Sequence, residues 1–148
     1  MEAVGQRSPA REAADQLFER VVEAAELNDS AQLALYLPMA VLAYQRARPL
    51  DADGLFHLST LQRSSDLLAE ARATADESLA ANPHHLLGLF SAAQASEEVG
   101  DTAAARGYYA RILASWDREM AGRAPEYQAH AEMLESVRER AQRILEAG

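Results

Sequence analysis

The chain has 148 residues, 49% of them apolar, and a formal net charge of −9. The apolar share supports a packed core and excludes simple disorder, while the negative charge argues against generic attraction to nucleic acid or anionic lipid. There is no Cys, so disulfides, thiolate catalysis and Cys-based zinc sites are excluded.

All 14 basic residues are Arg, as expected of a GC-rich, bacterial genome. Without Lys, Schiff-base chemistry and a Walker-type phosphate lysine are also excluded. The charge is uneven, with 8 acidic and 2 basic residues in 51–100 against 7 and 5 in 1–50 and 8 and 7 in 101–148. Leu and Ala outweigh Val, Ile and Thr, which favours helix over strand. No apolar run approaches the ~18 residues of a membrane span. Met1-Glu2-Ala3-Val4-Gly5 lacks the basic and apolar segments of a signal peptide. A soluble, cytoplasmic protein is expected, or a soluble domain of a larger anchored or exported one.

Residues 1–9, with Gly5, Ser8 and Pro9, read as a flexible lead-in to one helical domain over 10–148. From Ala10 to Leu27, Ala14, Leu17, Phe18, Val21, Val22 and Ala25 follow helical spacing. Asn28-Asp29-Ser30 interrupts. Ala31 to Arg46 is apolar nearly all round, the pattern of a central helix, with Pro38 expected to kink it near Leu35–Leu37 or split it. After the turn Arg48-Pro49-Leu50-Asp51, Asp51 or Asp53 can cap a helix running to about Arg63. Further helices are expected over Leu67–Ala81, His84–Val99 and from Asp101 to about Met120. Asn82-Pro83, Gly100 and Gly122-Arg123-Ala124-Pro125 separate them, and a last helix covers Glu126–Glu146. The total is about seven helices in an all-α chain, with connections short enough to make neighbours antiparallel.

The best-formed stretch begins at Gly100-Asp101. Gly100 suits the left-handed residue that ends a helix, Asp101 suits an N-cap, and Ala105, Tyr109 and Ile112 share one face. Thirty-four residues earlier the pattern returns: Leu55 aligns with Leu89, Leu58 with Ala92, Ala71 with Ala105 and Ala75 with Tyr109, and Pro49 precedes Pro83 by the same interval. This resembles the tetratricopeptide repeat (TPR) family. The unit 86–119 keeps the family's Leu89, Gly100, Asp101, Ala105 and Tyr109; it departs at Ala92, Ala93, Ser96, Ile112 and Asp117. The unit 52–85 keeps Leu55, Leu58, Ala71 and Pro83 and departs at Ser59, Gln62, Asp66-Leu67, Ala75 and Ser78. Residues 10–47 look like a degenerate further pair whose turn comes a few residues early. Residues 126–146 fit a terminal capping helix with a polar face of Glu132, Glu135, Arg138, Glu139 and Arg143. The resemblance implies a right-handed α-solenoid and a non-catalytic module that binds a peptide or helix of a partner protein in a concave groove.

In that family the first helix of each pair lines the groove. Carried onto this chain, the groove positions are Asp53, Phe56, His57, Thr60, Arg63 and Ser64, then Leu87, Phe90, Ser91, Gln94, Glu97 and Glu98. Phe56 and Phe90, 34 residues apart, either form an aromatic shelf for apolar side chains or lie covered by the N-terminal helices or the cap. The family's Lys/Asn carboxylate clamp is absent. The charge favours a basic or apolar partner and no nucleic acid. Self-assembly through helix 31–46 or through Trp116, Tyr108 and Tyr109 is the alternative; a helical ligand-binding domain is a weaker one.

No catalytic residue, metal site or cofactor is expected. No phosphate-loop, nucleophile-elbow, calcium-loop or zinc-protease spacing occurs. His84 and His85 point apart and read as solvated turn residues. His130, on the apolar stripe of the last helix one turn after Glu126, would need a third ligand that linear spacing does not supply. Asp51, Asp53, Asp76, Glu77, Glu97 and Glu98 read as solvated carboxylates, Tyr109 as packing between helices, and Trp116 as packing on the cap.

Overall fold

A computed structural model describes residues 7–147. Most of the lead-in expected over 1–9 lies outside them, and Pro9 already opens the first helix. Eight helices follow in order: α1 (Pro9–Glu26), α2 (Ser30–Arg46), α3 (Ala52–Ser64), α4 (Leu68–Ala81), α5 (Leu86–Glu98), α6 (Thr102–Ala121), α7 (Pro125–Ala129) and α8 (Ala131–Ala147). There is no strand among the described residues, and no described helix is long and apolar enough to cross a membrane. The expected last helix is two, broken at His130, which brings the count from seven to eight.

The repeat is written in the backbone. Each of the first three helix pairs turns on a residue with positive φ: Asn28 at 53°, Asp66 at 61° and Gly100 at 82°. The chain then closes each first helix with the same long bond, the N–H of Asp29, Leu67 and Asp101 donating to the carbonyl of Ala24, Gln62 and Ser96. This pattern satisfies carbonyls that a helix end would otherwise leave free. Asp66 and Gly100 are 34 residues apart; Asn28 precedes Asp66 by 38, the early turn expected of the degenerate pair.

The N-caps repeat as well. The Asp51 carboxylate accepts from Gly54 N at 2.8 Å and, 34 residues on, His85 Nδ1 accepts from Gly88 N at 3.2 Å. Both glycines mark close approach. A Cβ on Gly54 would sit 2.7 Å from the Arg11 guanidinium, and one on Gly88 would sit 2.9 Å from Ser78 Oγ on α4. Asp101 caps α6 as expected, accepting from Ala104 N at 3.0 Å. Asp29 caps α2 and Ser8 caps α1.

Consecutive helices pack as pairs, α1 with α2, α3 with α4 and α5 with α6; α3 also packs on α5, α4 on α5, and α6 on α8. Two apolar clusters result. One joins Ala14, Val21, Ala40, Tyr44, Leu58 and Leu61 at the N-terminal end. The other gathers Leu86, Leu87, Leu89, Phe90, Tyr109, Ile112 and Trp116 under Leu134, Val137 and Ala141 of α8. Burying such side chains contributes about 1.5–3 kcal/mol each. Tyr109 is fully buried, and Trp116 packs under the cap with Arg138 over its ring at 5.2 Å, both as expected. Tyr127 ties α7 down: its hydroxyl accepts from Leu86 N at 2.9 Å and donates to Glu119 at 2.7 Å.

Helix α2 continues through Pro38, so the chain does not split there. One expectation is corrected: α2 is peripheral rather than central, because only α1 and α3 pack substantially against it. Ala40 and Tyr44 are buried, while Leu35 (53%), Met39 (45%) and Leu42 (48%) face outward.

Candidate functional site

The groove positions meet the seam between the two clusters. Six of them are buried: Asp53, Phe56 and His57 on α3, and Leu87, Phe90 and Ser91 on α5. Thr60, Arg63, Gln94 and Glu97 are half-buried, and only Ser64 and Glu98 are exposed. Phe56 (7% exposed) and Phe90 (8%) share the C-terminal cluster with Leu134, Val137 and Ala141, so an open aromatic shelf is not what the chain has. Burial under the cap, the other reading of this pair, is what the fold delivers; His130 lies edge-on to Phe56, with ring centroids 5.1 Å apart.

Around Asp53 and His57 the fold assembles a polar hub from four elements. Asp53 and His57 sit one turn apart on the inner face of α3. Helix α1 brings Arg11 and Asp15, α2 brings Tyr44, and the break between α7 and α8 brings His130. His130 Nε2 is 3.0 Å from Asp53 Oδ1 and His57 Nε2 is 3.5 Å from the same oxygen. The other oxygen, Oδ2, accepts from Arg7 and from Arg11, both at 3.1 Å. Arg11 also binds Asp15 at 2.9 Å and Asp51 at 2.7 Å, so this buried guanidinium is shared by three carboxylates. Tyr44 donates to Asp15 at 2.5 Å, and its oxygen lies 2.9 Å from His57 Nδ1. Phe18 stacks on the His57 ring, centroids 4.1 Å apart.

The electrostatics follow from burial and partners. Burial works to raise the Asp53 carboxyl, but the hydrogen bond from His130 and the neighbouring positive charges outweigh it and bring its pKa down to about 2. Asp15 is likewise lowered, its burial overcome by hydrogen bonds from Tyr44, Arg11 and Arg7. Burial lowers His57 and outweighs the pull of Asp53 and Asp15 toward the charged form. Burial and the bond to Asp15 push the Tyr44 hydroxyl far up.

Linear spacing missed this hub. Asp53 is a buried ion-pair partner and His57 a buried network member. His130 finds Asp53, at a separation of 77 residues, in place of Glu126. Glu126 instead accepts from His85 Nε2 at 2.8 Å, and His85 is buried as the α5 N-cap, not a solvated turn residue. The i, i+4 spacing of Asp53 and His57 was the one signal in the sequence, and only tertiary contact adds the third group. The far end of the inner face is polar. Arg63 pairs with Glu98 at 2.8 Å, and Glu97 accepts from Tyr109 at 2.8 Å and from Arg140 of α8 at 2.7 Å.

The paired helices, their shared turn geometry and the capped inner face define a TPR-like helical-repeat solenoid. The crystal structure of PcrH from Pseudomonas aeruginosa shares this fold, with a TM-score of 0.58 at 17% sequence identity over 95% of this chain and 99% of PcrH. A tetratricopeptide repeat protein from Parabacteroides merdae aligns with a TM-score of 0.46 and 19% identity over 92% of this chain and 65% of its own. No protein-family model and no curated protein matches the chain.

Proposed function

We propose that residues 10–148 act as one non-catalytic interaction module that holds a basic, amphipathic segment of a partner protein. The observation that carries this reading is an apolar cleft of about 530 Å³ on α1, formed by Phe18, Val22 and Leu27 and rimmed by Glu19, Glu23 and Glu26. Helix α1 is the first helix of its pair, and Phe18 lies against the inner-face residue His57. Through that stack the cleft adjoins the inner face at His57. Its apolar floor would take a partner's aliphatic side chains, and its acidic rim favours a basic flank and disfavours an acidic one.

NMR titration with a designed amphipathic Leu/Lys peptide tests the site. Shifts concentrated on residues 18–27 support it; shifts concentrated on α2, or none, overturn it.

Self-association is a second reading, favoured by α2. Leu35, Met39 and Leu42 are exposed, and Leu42 also lines, with Leu37, Pro38, Val41 and Leu67, a second apolar cleft of about 430 Å³. Such a surface invites a second copy. Light scattering over a range of concentrations decides it: a monomer throughout removes the reading, and a dimer abolished by Met39→Glu establishes it.

A further inference from the structure

The geometry points to a site for a divalent transition metal ion of the Zn²⁺ class, formed by Asp53, His57 and His130. Each residue offers one ligand atom, and the three atoms lie within 4.8 Å of one another. Asp53 Oδ1 is 3.0 Å from His130 Nε2 and 3.5 Å from His57 Nε2. With Zn–N and Zn–O bonds of about 2.0–2.1 Å, a tetrahedral site has ligand–ligand edges of about 3.3 Å. The two spacings from Asp53 Oδ1 bracket that value, and the edge between the two imidazoles is within 4.8 Å. Two imidazoles and one carboxylate suit Zn²⁺, Co²⁺ or Ni²⁺ better than the hard, oxygen-seeking Ca²⁺ or Mg²⁺.

An independent observation fixes the ring that matters most. The Tyr44 hydroxyl has one proton and gives it to Asp15 at 2.5 Å. Its oxygen, 2.9 Å from His57 Nδ1, can therefore only accept from that nitrogen. His57 then carries its proton on Nδ1 and turns the Nε2 lone pair toward Asp53 Oδ1. An imidazole whose remote N–H is held by an oxygen acceptor is the usual arrangement behind a metal-bound histidine. Asp53 is oriented in the same way: Arg7 and Arg11 occupy Oδ2, and Oδ1 faces the two rings.

Charge and access agree. Asp15, Asp51 and Asp53 outnumber Arg7 and Arg11 in the hub, so an incoming cation meets a net negative environment before it binds. A cleft of about 490 Å³ lined by Arg7, Asp51, Asp53, Glu126 and Ala129 among others opens the Asp53 side of the site to solvent. Three protein ligands leave a fourth position for water or a partner's donor atom. His130 lies at the α7–α8 break, so the ion would fasten the cap to α3 and make closure of the inner face metal-dependent. Coordination through His130 Nε2 releases to solvent the proton that this nitrogen otherwise donates to Asp53.

Tag-free full-length protein, stripped with chelator and titrated with Co²⁺, tests the site. The expected result is one Co²⁺ per chain with the visible bands of a tetrahedral ion, displaced by Zn²⁺, and a higher melting temperature with Zn²⁺. His57→Ala and His130→Ala should each weaken uptake by about tenfold or more, and His84→Ala should leave it unchanged. His130→Gln keeps a polar partner for Asp53 and retains the fold if the alanine variants unfold; it should also lose the bands. Absence of stoichiometric uptake by the wild type overturns the proposal. So does uptake that survives His130→Gln or disappears with His84→Ala.

Discussion

His130 Nε2 lies 3.0 Å from Asp53 Oδ1, although the two residues are 77 positions apart. This one contact joins the start of the cap to the inner face of α3, and Arg11 extends it to α1. A residue from each end of the described chain thus converges on one carboxylate.

Arg11 is the most exacting member of that hub. Arg11→Met removes a buried cation that three carboxylates share, leaving Asp15 and Asp53 short of a partner; it should cost about 3–5 kcal/mol. Arg7, with 39% of its side chain exposed, pairs with two of the same carboxylates, and Arg7→Ala should cost under about 1 kcal/mol. Urea unfolding of the two variants measures the contrast; equal losses would show that burial does not govern the hub.

Phe56→Ala and Phe90→Ala should each destabilise by about 3–5 kcal/mol, the cost of a buried Phe truncation. Near-neutral values by thermal or urea melts would mean that both rings reach solvent and that the inner face opens in solution.

Acid should erode stability in two pH windows. The unfolded chain takes a proton on His57 at its usual 6.5, while the folded site resists. Stability therefore falls as pH drops below about 6.5 toward the lowered folded value. The folded Asp53 carboxyl titrates near 2 and the unfolded one near 3.8. Its contribution, about 2 kcal/mol, is present above 3.8 and lost between 3.8 and 2. Denaturant midpoints across pH check both windows; His57→Gln should flatten the upper one, and it should also shrink the lower one because it removes a charge that helps to lower Asp53.

The Ser91 hydroxyl is buried and has no hydrogen-bond partner among the described residues. Ser91→Ala should be neutral or slightly stabilising, because it removes an unsatisfied polar atom. A loss of more than about 1 kcal/mol in a melt would show that the hydroxyl has a partner in solution.

Local features were legible in the sequence. Gly100-Asp101 announced a left-handed stop and an N-cap, and both are present; the 34-residue alignment put Ala71, Ala105 and Tyr109 inside the helix pairs, where they are buried. Periodicity says which residues share a face, but not what lies opposite. For that reason α2 read as central although, among the described residues, only α1 and α3 pack substantially against it. Phe56 and Phe90 left exposure undecided because the answer depends on where α8 lands. His85 read as a turn residue because a histidine N-cap is unusual. The hub was hidden most completely: it takes Asp15, Tyr44, Asp53, His57 and His130 from three helices and one inter-helix break, and no linear spacing records that convergence.

Fluorescence anisotropy of a labelled Leu/Lys amphipathic peptide, titrated with wild type and Val22→Glu, tests the proposed function most directly. Val22 is 40% exposed, so the substitution should leave the fold intact. The expected result is saturable binding to wild type with a dissociation constant on the order of micromolar, at least about tenfold weaker for Val22→Glu, and no binding of a Leu/Glu counterpart. Equal affinity of both proteins for the peptide, or equal binding of the two peptides, would contradict it.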